Sequence, residues 1–336
     1  MSGALLVRAL RDPASTVALD AGGWTGLIAA ARAEQLVGTL ACRVQGLAKP
    51  PAAERILADA RASAEQGRTL AMWEAEMAAR ALLPLGAPVV LLKGTAYVAA
   101  GLEAGRGRSI GDLDILVPHD ALDAVEAALL AAGWEWVKPD AYDDAYYRRW
   151  MHELPPLIHR ERDRMIDLHH TILPRTARPT PDATALIAES VPLANGLRVL
   201  SPEDMVCHAV AHLFADGDLS GGLRNLWDLH CLLDDFATPQ DMRRLETRAA
   251  RHQIEVHLAR ALRLRNALFG EGARLTALDR LYVRRLLARD SWGRARAPAT
   301  RGGFYLRSHL LRMPPAMLVR HLWTKWRKGH RGTIAA

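Results

Sequence analysis

The period of the apolar positions changes twice along the chain. Residues 1–85 are dominated by Ala, Leu, Arg and Glu, all good helix formers. One helix is predicted over about 24–44. Pro50-Pro51 resets the chain, and a long helix is predicted from there to about residue 83. Its Leu70, Trp73, Met77 and Ala81 recur at helical spacing and are expected to form a core stripe. From Pro88 the helical period stops. Val89-Val90-Leu91-Leu92 is a short apolar run read as a buried strand. Lys93-Gly94-Thr95 follows, then a helix-like stretch to about residue 102, then a loop expected to be flexible from Gly101, Gly105, Gly107 and Gly111. Residues 112–117 read as a strand stopped by Pro118, and 120–132 as a helix capped at Gly133. Segments 154–159 and 164–169, joined by a turn, are expected to pair antiparallel. Tyr142, Tyr146, Tyr147 and Trp150, with Arg148 and Arg149, read as a strand or loop packed on the helical half, or as a stacking surface for a base or acceptor.

The helical period returns at Ser201-Pro202-Glu203-Asp204, with Ser as N-cap, Pro in the first turn and acids near the dipole's positive end. Helices are predicted near 202–215, 222–235, 239–252, 255–268 and 276–288. The pattern as a whole predicts an α+β protein with a small mixed sheet. Its expected parts are an N-terminal helical segment (1–85), the sheet-bearing core (86–200), a helical domain (201–290) and a basic tail (291–336).

Composition adds limits. Half of the 336 residues are hydrophobic and 24% are charged, enough to bury a large core. No apolar run approaches the roughly 18 residues of a membrane span. The N-terminus lacks the basic and apolar regions of a signal peptide, and the three widely spaced cysteines (Cys42, Cys207 and Cys231) make neither a zinc pattern nor a disulfide framework. A reduced, cytoplasmic protein is the expectation. The formal charge of +7 is uneven. Residues 291–336 carry ten Arg or Lys and no acid, which leaves residues 1–290 three units negative. That tail is read either as a solvated Arg-rich helix or as a contact for RNA, a membrane surface or an acidic partner. After Pro314-Pro315, the spacing of Val319, Leu322, Trp323 and Trp326 suggests that part of it packs down.

Candidate chemistry is concentrated in 91–117, with one later addition. Strand alternation puts Asp112 and Asp114 on one face while Leu113, Ile115 and Val117 face the core. Two carboxylates so crowded repel one another unless a cation lies between them, and Mg²⁺ suits hard oxygen ligands completed by phosphates. Asp167, in the strand-like Arg164-Met-Ile-Asp-Leu-His169, supplies a third carboxylate if the two strands pair, as a two-metal site for nucleotidyl transfer requires. Gly94, between strand and helix, lets a phosphate approach the backbone, and the Thr95 hydroxyl adds a donor. The bland alternative for Asp112 and Asp114 is a strand edge bearing two solvated acids. Asp216 and Asp218 repeat the spacing in a polar loop and are read as turn residues. His208 and His212 share a helix face, read as partly buried histidines lining an interdomain cleft. Asp228 is read as a cap or as the partner of a cationic group, and Lys93 as a phosphate-binding charge or simply the exposed strand end.

Leu92-Lys93-Gly94-Thr95, Arg108-Ser-Ile-Gly-Asp112-Leu-Asp114-Ile-Leu-Val117 and Ile166-Asp167-Leu168-His169 together resemble the polymerase-β-type nucleotidyltransferase superfamily. Within it the sequence is similar to a bacterial branch of largely uncharacterised nucleotidyltransferases. That branch has a Lys-Gly turn, an Arg shortly before Asp-x-Asp and a later Asp-Leu-His. The helical half from Glu203 to His230 resembles the same branch more weakly. The resemblance implies transfer of a nucleoside monophosphate from an NTP to a hydroxyl-type or phosphate acceptor, with release of pyrophosphate. It implies Mg²⁺, or Mn²⁺, held by Asp112, Asp114 and Asp167, the last also helping to activate the attacking group. Lys93, Gly94, Thr95 and Arg108 are implied at the triphosphate. Strand alternation faces His169 the same way as Asp167, which reads either as a place near the nucleotide or as a satisfied structural histidine. Gly-Thr replaces the usual Gly-Ser or Gly-Gly, and the gap from Thr95 to Asp112 is longer than in compact members. A catalytically weak nucleotide- or RNA-binding module using the basic tail is the alternative.

Overall fold

The computed structural model describes residues 2–236, 238–312, 315, 316, 318–320 and 323. The chain opens with helices α1 (Ser2–Arg11), α2 (Ala21–Ala33), α3 (Val37–Arg43) and α4 (Pro51–Leu82). The core alternates β1 (Val90–Leu91), α5 (Lys93–Ala99), β2 (Asp112–Leu116), α6 (Leu122–Ala131), β3 (Trp134–Trp136) and α7 (Ala141–Trp150). It continues through β4 (Leu157–His159), β5 (Met165–His169), α8 (Ala183–Ala188), β6 (Val191–Pro192) and β7 (Arg198–Val199). Helices α9 (Pro202–Ala211), α10 (Gly222–Asp235), α11 (Pro239–Arg251), α12 (Glu255–Leu268), α13 (Ala277–Leu286) and α14 (Pro298–Arg312) complete the described chain. No helix among the described residues is long and apolar enough to cross a membrane.

One mixed seven-stranded sheet runs β3-β4-β5-β2-β1-β7-β6. β2 lies near its middle, parallel to β5 and antiparallel to β1. β4 and β5 form the antiparallel pair that the pattern predicted. Ile115, Leu116 and Val117 are buried, as central strand residues must be. The helices of the C-terminal half start where their caps stand. Ser201 caps α9, accepting from the Asp204 amide, and Thr238 and Thr276 form capping boxes with Asp241 and Asp279.

Several expectations are corrected. The helix over 24–44 is two helices, α2 and α3, separated by Gln35 in the left-handed region. The stripe Leu70, Trp73, Met77 and Ala81 is not the core face of α4. Leu70 and Trp73 are exposed, and the buried stripe is Ala71, Glu74, Ala75, Ala78 and Leu82. Alanines pack α4 closely on its neighbours, while Trp73 instead covers the Arg162 guanidinium, 5.3 Å away, which pairs with buried Glu74 at 2.8 and 3.0 Å. The aromatic segment over 142–150 is a helix, α7, because Asp140 caps it by accepting from the Tyr142 and Asp143 amides. The glycine loop before β2 is pinned. A Cβ on Gly38 would stand 2.4 Å from the Gly107 carbonyl, and the Thr39 hydroxyl donates to the Arg106 carbonyl at 3.2 Å. In the tail, Phe304, Ser308 and Leu318 are buried, but Val319 and Trp323 are exposed. Leu322 and Trp326 lie outside the described residues.

Candidate active site

The register of β2 against β5 builds the site. Asp114 stands directly opposite Asp167, and Asp112 lies two residues earlier on the same face. Oxygens of all three carboxylates lie within 4.8 Å of one another. Asp112 is exposed, Asp167 half-buried and Asp114 buried. On the other side of β2, the Leu92 amide donates to the Asp114 carbonyl at 3.0 Å, so β1 ends level with the acids. Lys93 follows with φ +49, a left-handed conformation uncommon for a residue with a Cβ. Its ammonium reaches Asp114 Oδ1 at 2.6 Å.

Two further groups frame this pair. His169 Nε2 lies 3.0 Å from Asp114 Oδ1 and 3.5 Å from Glu153 Oε2. His152 Nε2 is 3.6 Å from the same Glu153 oxygen. A carboxylate only accepts, so the Nε2 proton of His169 is donated to Asp114. The His152, Glu153 and His169 cluster is thereby a frame that orients Asp114, since a metal ion on His169 Nε2 would take this hydrogen bond away.

The charge around the acids does not balance. Burial alone would raise Asp114, but Lys93 and His169 outweigh it and hold the carboxyl far below its usual range. Burial likewise opposes the Lys93 charge, and Asp114, Glu153 and Asp112 more than restore it. Among the described residues the Asp167 side chain has no hydrogen bond or ion pair. Burial, then the negative charges of Asp114 and Glu153, push it up to about 7. Asp112, Asp114, Asp167 and Glu153 outnumber Lys93, the cation bonded to Asp114. An all-oxygen donor set with surplus negative charge fits a hard divalent cation.

Asp112 and Asp114 line a cleft of about 380 Å³ shared by three parts of the chain. Gln35 comes from the α2–α3 break, Lys93, Gly94, Arg108, Asp112 and Asp114 from the core, and His212, Arg224 and Asn225 from the helical half. Gly94 is required by a close approach: a Cβ there would stand 2.6 Å from Arg108 Nε. Arg108 lies over the Tyr97 ring, 5.7 Å from its centre, and is paired with Asp228. Asp228 also receives Arg224, whose Nη1 donates to the Thr39 hydroxyl at 2.7 Å. The cationic partner expected for Asp228 is therefore present twice. His212 lines the cleft, while His208 is buried beneath it, and burial with the nearby Lys93 charge pushes His208 far down.

Of the residues singled out from sequence, Lys93, Gly94, Arg108, Asp112 and Asp114 meet at the cleft, with Asp167 and His169 behind Asp114. Thr95 does not join them; it is buried and its hydroxyl has no hydrogen-bond partner among the described residues. Asp218 Oδ1 accepts from the Ser220 amide in a turn, but Asp216 ends a π-helix, His212–Asp216, that continues α9. Sequence reasoning missed Glu153, His152, Arg224 and Gln35. Glu153 sits in an irregular segment that meets β5 through one bridge to His169, which no local pattern announces.

The mixed sheet with helices before and after it in the chain makes this an α+β protein. The chain belongs to the family described as uncharacterised nucleotidyltransferase, whose model matches residues 20–270. Among solved structures it is similar to the antibiotic-resistance factor ANT(2'')-Ia, determined in solution, at 14% identity and a TM-score of 0.38. That match covers 57% of this chain and 96% of the other. No curated protein matches it.

Proposed function

We propose that the protein transfers a nucleoside monophosphate from an NTP to an acceptor hydroxyl or phosphate, with Asp112, Asp114 and Asp167 holding Mg²⁺ or Mn²⁺. The observation that carries this reading is the register pair Asp114 and Asp167 with Asp112 beside them, Asp112 and Asp114 lining a cleft that also presents Lys93 and Arg108. The metal, when bound, neutralises the triphosphate and aligns it for in-line displacement. An acceptor oxygen bonds to the α-phosphorus, the bond to the α–β bridging oxygen breaks, and pyrophosphate leaves with that electron pair.

The chain's own groups have separable tasks in this proposal. Lys93 and His169 both bond Asp114 Oδ1, which leaves its other oxygen for a cation. Asp167 is close enough to the other acids to share a cation and takes the acceptor's proton when its own is absent. Arg108, held over Gly94 by Asp228, presents positive charge to the leaving pyrophosphate. Gln35, His212 and Asn225 line the side of the cleft formed by the two helical parts, where we place the acceptor.

The test is metal-dependent NTP binding and pyrophosphate release across the four NTPs, with wild type beside Asp112→Ala/Asp114→Ala. The proposal expects both to need the metal and to be lost in the double variant. Equal metal-dependent binding by wild type and variant would remove the site. Tight nucleotide binding with no turnover on any acceptor would favour the binding-module alternative.

A further inference from the structure

The clearest surface that the catalytic reading leaves unused lies on the last two described helices. α13 turns Asp279, Tyr282, Arg285 and Leu286 inward, and α14 turns in Phe304 and Ser308. Tyr282 and Phe304 meet edge to face at 4.8 Å, so the two helices share one seam. Both helices also expose apolar side chains. Leu278 and Leu281 are exposed on α13, as are Tyr305, Leu306 and Leu310 on α14, Leu306 at 58% and Leu310 at 49%. Leu278 and Leu281 are three residues apart and Leu306 and Leu310 four, so each pair forms a stripe along its helix. An exposed apolar arc on a helix normally means a missing partner.

The charge says which partner. Arg280 and Arg284 stand exposed beside the α13 stripe, and Arg301 stands at the start of α14. None of the three has an acidic partner among the described residues. From Ser291 onward the sequence has ten Arg or Lys and no Asp or Glu. A second copy of the same face would bring like charges together. RNA would meet the cations but gains little from exposed leucines, because it is bound through phosphate contacts and aromatic stacking. An anionic lipid surface satisfies both features at once. Leucine and tyrosine enter the boundary between headgroups and acyl chains while arginines pair with phosphates.

We infer that the exposed arcs of α13 and α14 dock on an anionic membrane surface. This inference does not depend on the chemistry proposed for the cleft.

The experiment is co-sedimentation of the full chain with vesicles of phosphatidylcholine alone, and of phosphatidylcholine with about one third phosphatidylglycerol, at low and high salt. The inference expects binding to the mixed vesicles at least about tenfold tighter than to the neutral ones, weakened by salt. Leu306→Glu/Leu310→Glu and Arg280→Glu/Arg284→Glu should each weaken it about tenfold with unchanged melting temperature. Leu306→Ser/Leu310→Ser, a milder change at the same exposed positions, serves if the glutamates disturb the fold. Equal binding to both vesicle types, or wild-type binding by both the leucine and arginine variants, overturns the inference. So does RNA that displaces the protein from vesicles at concentrations below those of the lipid. Self-association abolished by the leucine variants, without vesicle binding, assigns the face to a second copy instead.

Discussion

Two buried acids in this molecule have opposite surroundings. Asp204, in the helical half, is fully buried, yet every charge near it is answered. Arg248 donates through Nε at 2.7 Å and Nη2 at 2.5 Å, and His252 Nε2 lies 2.9 Å away. Burial would raise its carboxyl, and these hydrogen bonds instead hold it below the usual range. Asp167, on β5, is less deeply buried, and its side chain has neither hydrogen bond nor ion pair among the described residues. Burial, then the charges of Asp114 and Glu153, push it up to about 7. A folded chain that answers the charge of Asp204, Asp228 and Asp279 internally, and leaves Asp167 and Asp112 unanswered, has an acid cluster suited to a cation from outside.

That contrast predicts different fates for similar substitutions. The largest effect belongs to Asp167→Asn, which should cut nucleotidyl transfer by about a thousandfold or more, roughly 4 kcal/mol of barrier. Steady-state pyrophosphate release reads it, and near-wild-type turnover would break the comparison. Next, Asp204→Asn leaves Arg248 and His252 without their shared carboxylate in a buried site. It should cost about 3 kcal/mol of stability, measured by denaturant unfolding. A midpoint unchanged from wild type would show that the cluster contributes nothing.

A third effect concerns pH. Burial, with the His119 ring 4.9 Å away, pushes His170 down to about 4. The unfolded histidine titrates near 6.5, so the unfolded chain takes up this proton first as pH falls. Stability should therefore be complete above pH 6.5 and decline by about 2–3 kcal/mol between 6.5 and 4. His170→Gln keeps a donor for the Met151 carbonyl and should flatten that decline; an identical acid limb would assign it elsewhere. The smallest effect is the sharpest. In metal-free buffer, Asp167→Asn removes a repelled charge and should raise stability by about 1 kcal/mol, a shift of a few degrees in Tm. The same change that abolishes transfer would then stabilise the fold, and a lower Tm would contradict the surplus-charge account.

Most of the acid cluster was legible from residue order, because strand alternation puts Asp112 and Asp114 on one face and an apolar strand around Asp167 needs a neighbour. What pairing alone decides was hidden. Glu153 reaches His169 from an irregular segment, and Arg224 reaches Asp228 from one turn earlier on α10, where any charged pair looks like a solvated surface. The hydrophobic pattern misled where small residues do the packing. Alanines carry the buried face of α4, so the larger Leu70 and Trp73 drew attention to the wrong arc. On α7, aromatic residues suggested extended structure, but the Asp140 cap prevailed. The two-residue strands β6 and β7 are too short to leave a period.

The most direct test of the central claim is Mn²⁺ binding in the presence of ATP, followed by water-proton relaxation for wild type, Asp112→Asn, Asp167→Asn and, as the structural control, the exposed-surface change Glu65→Gln. The account predicts nucleotide-dependent Mn²⁺ binding by wild type and Glu65→Gln that is weakened at least about tenfold in both aspartate variants. Undiminished binding by the two aspartate variants would place the cation elsewhere and contradict the account.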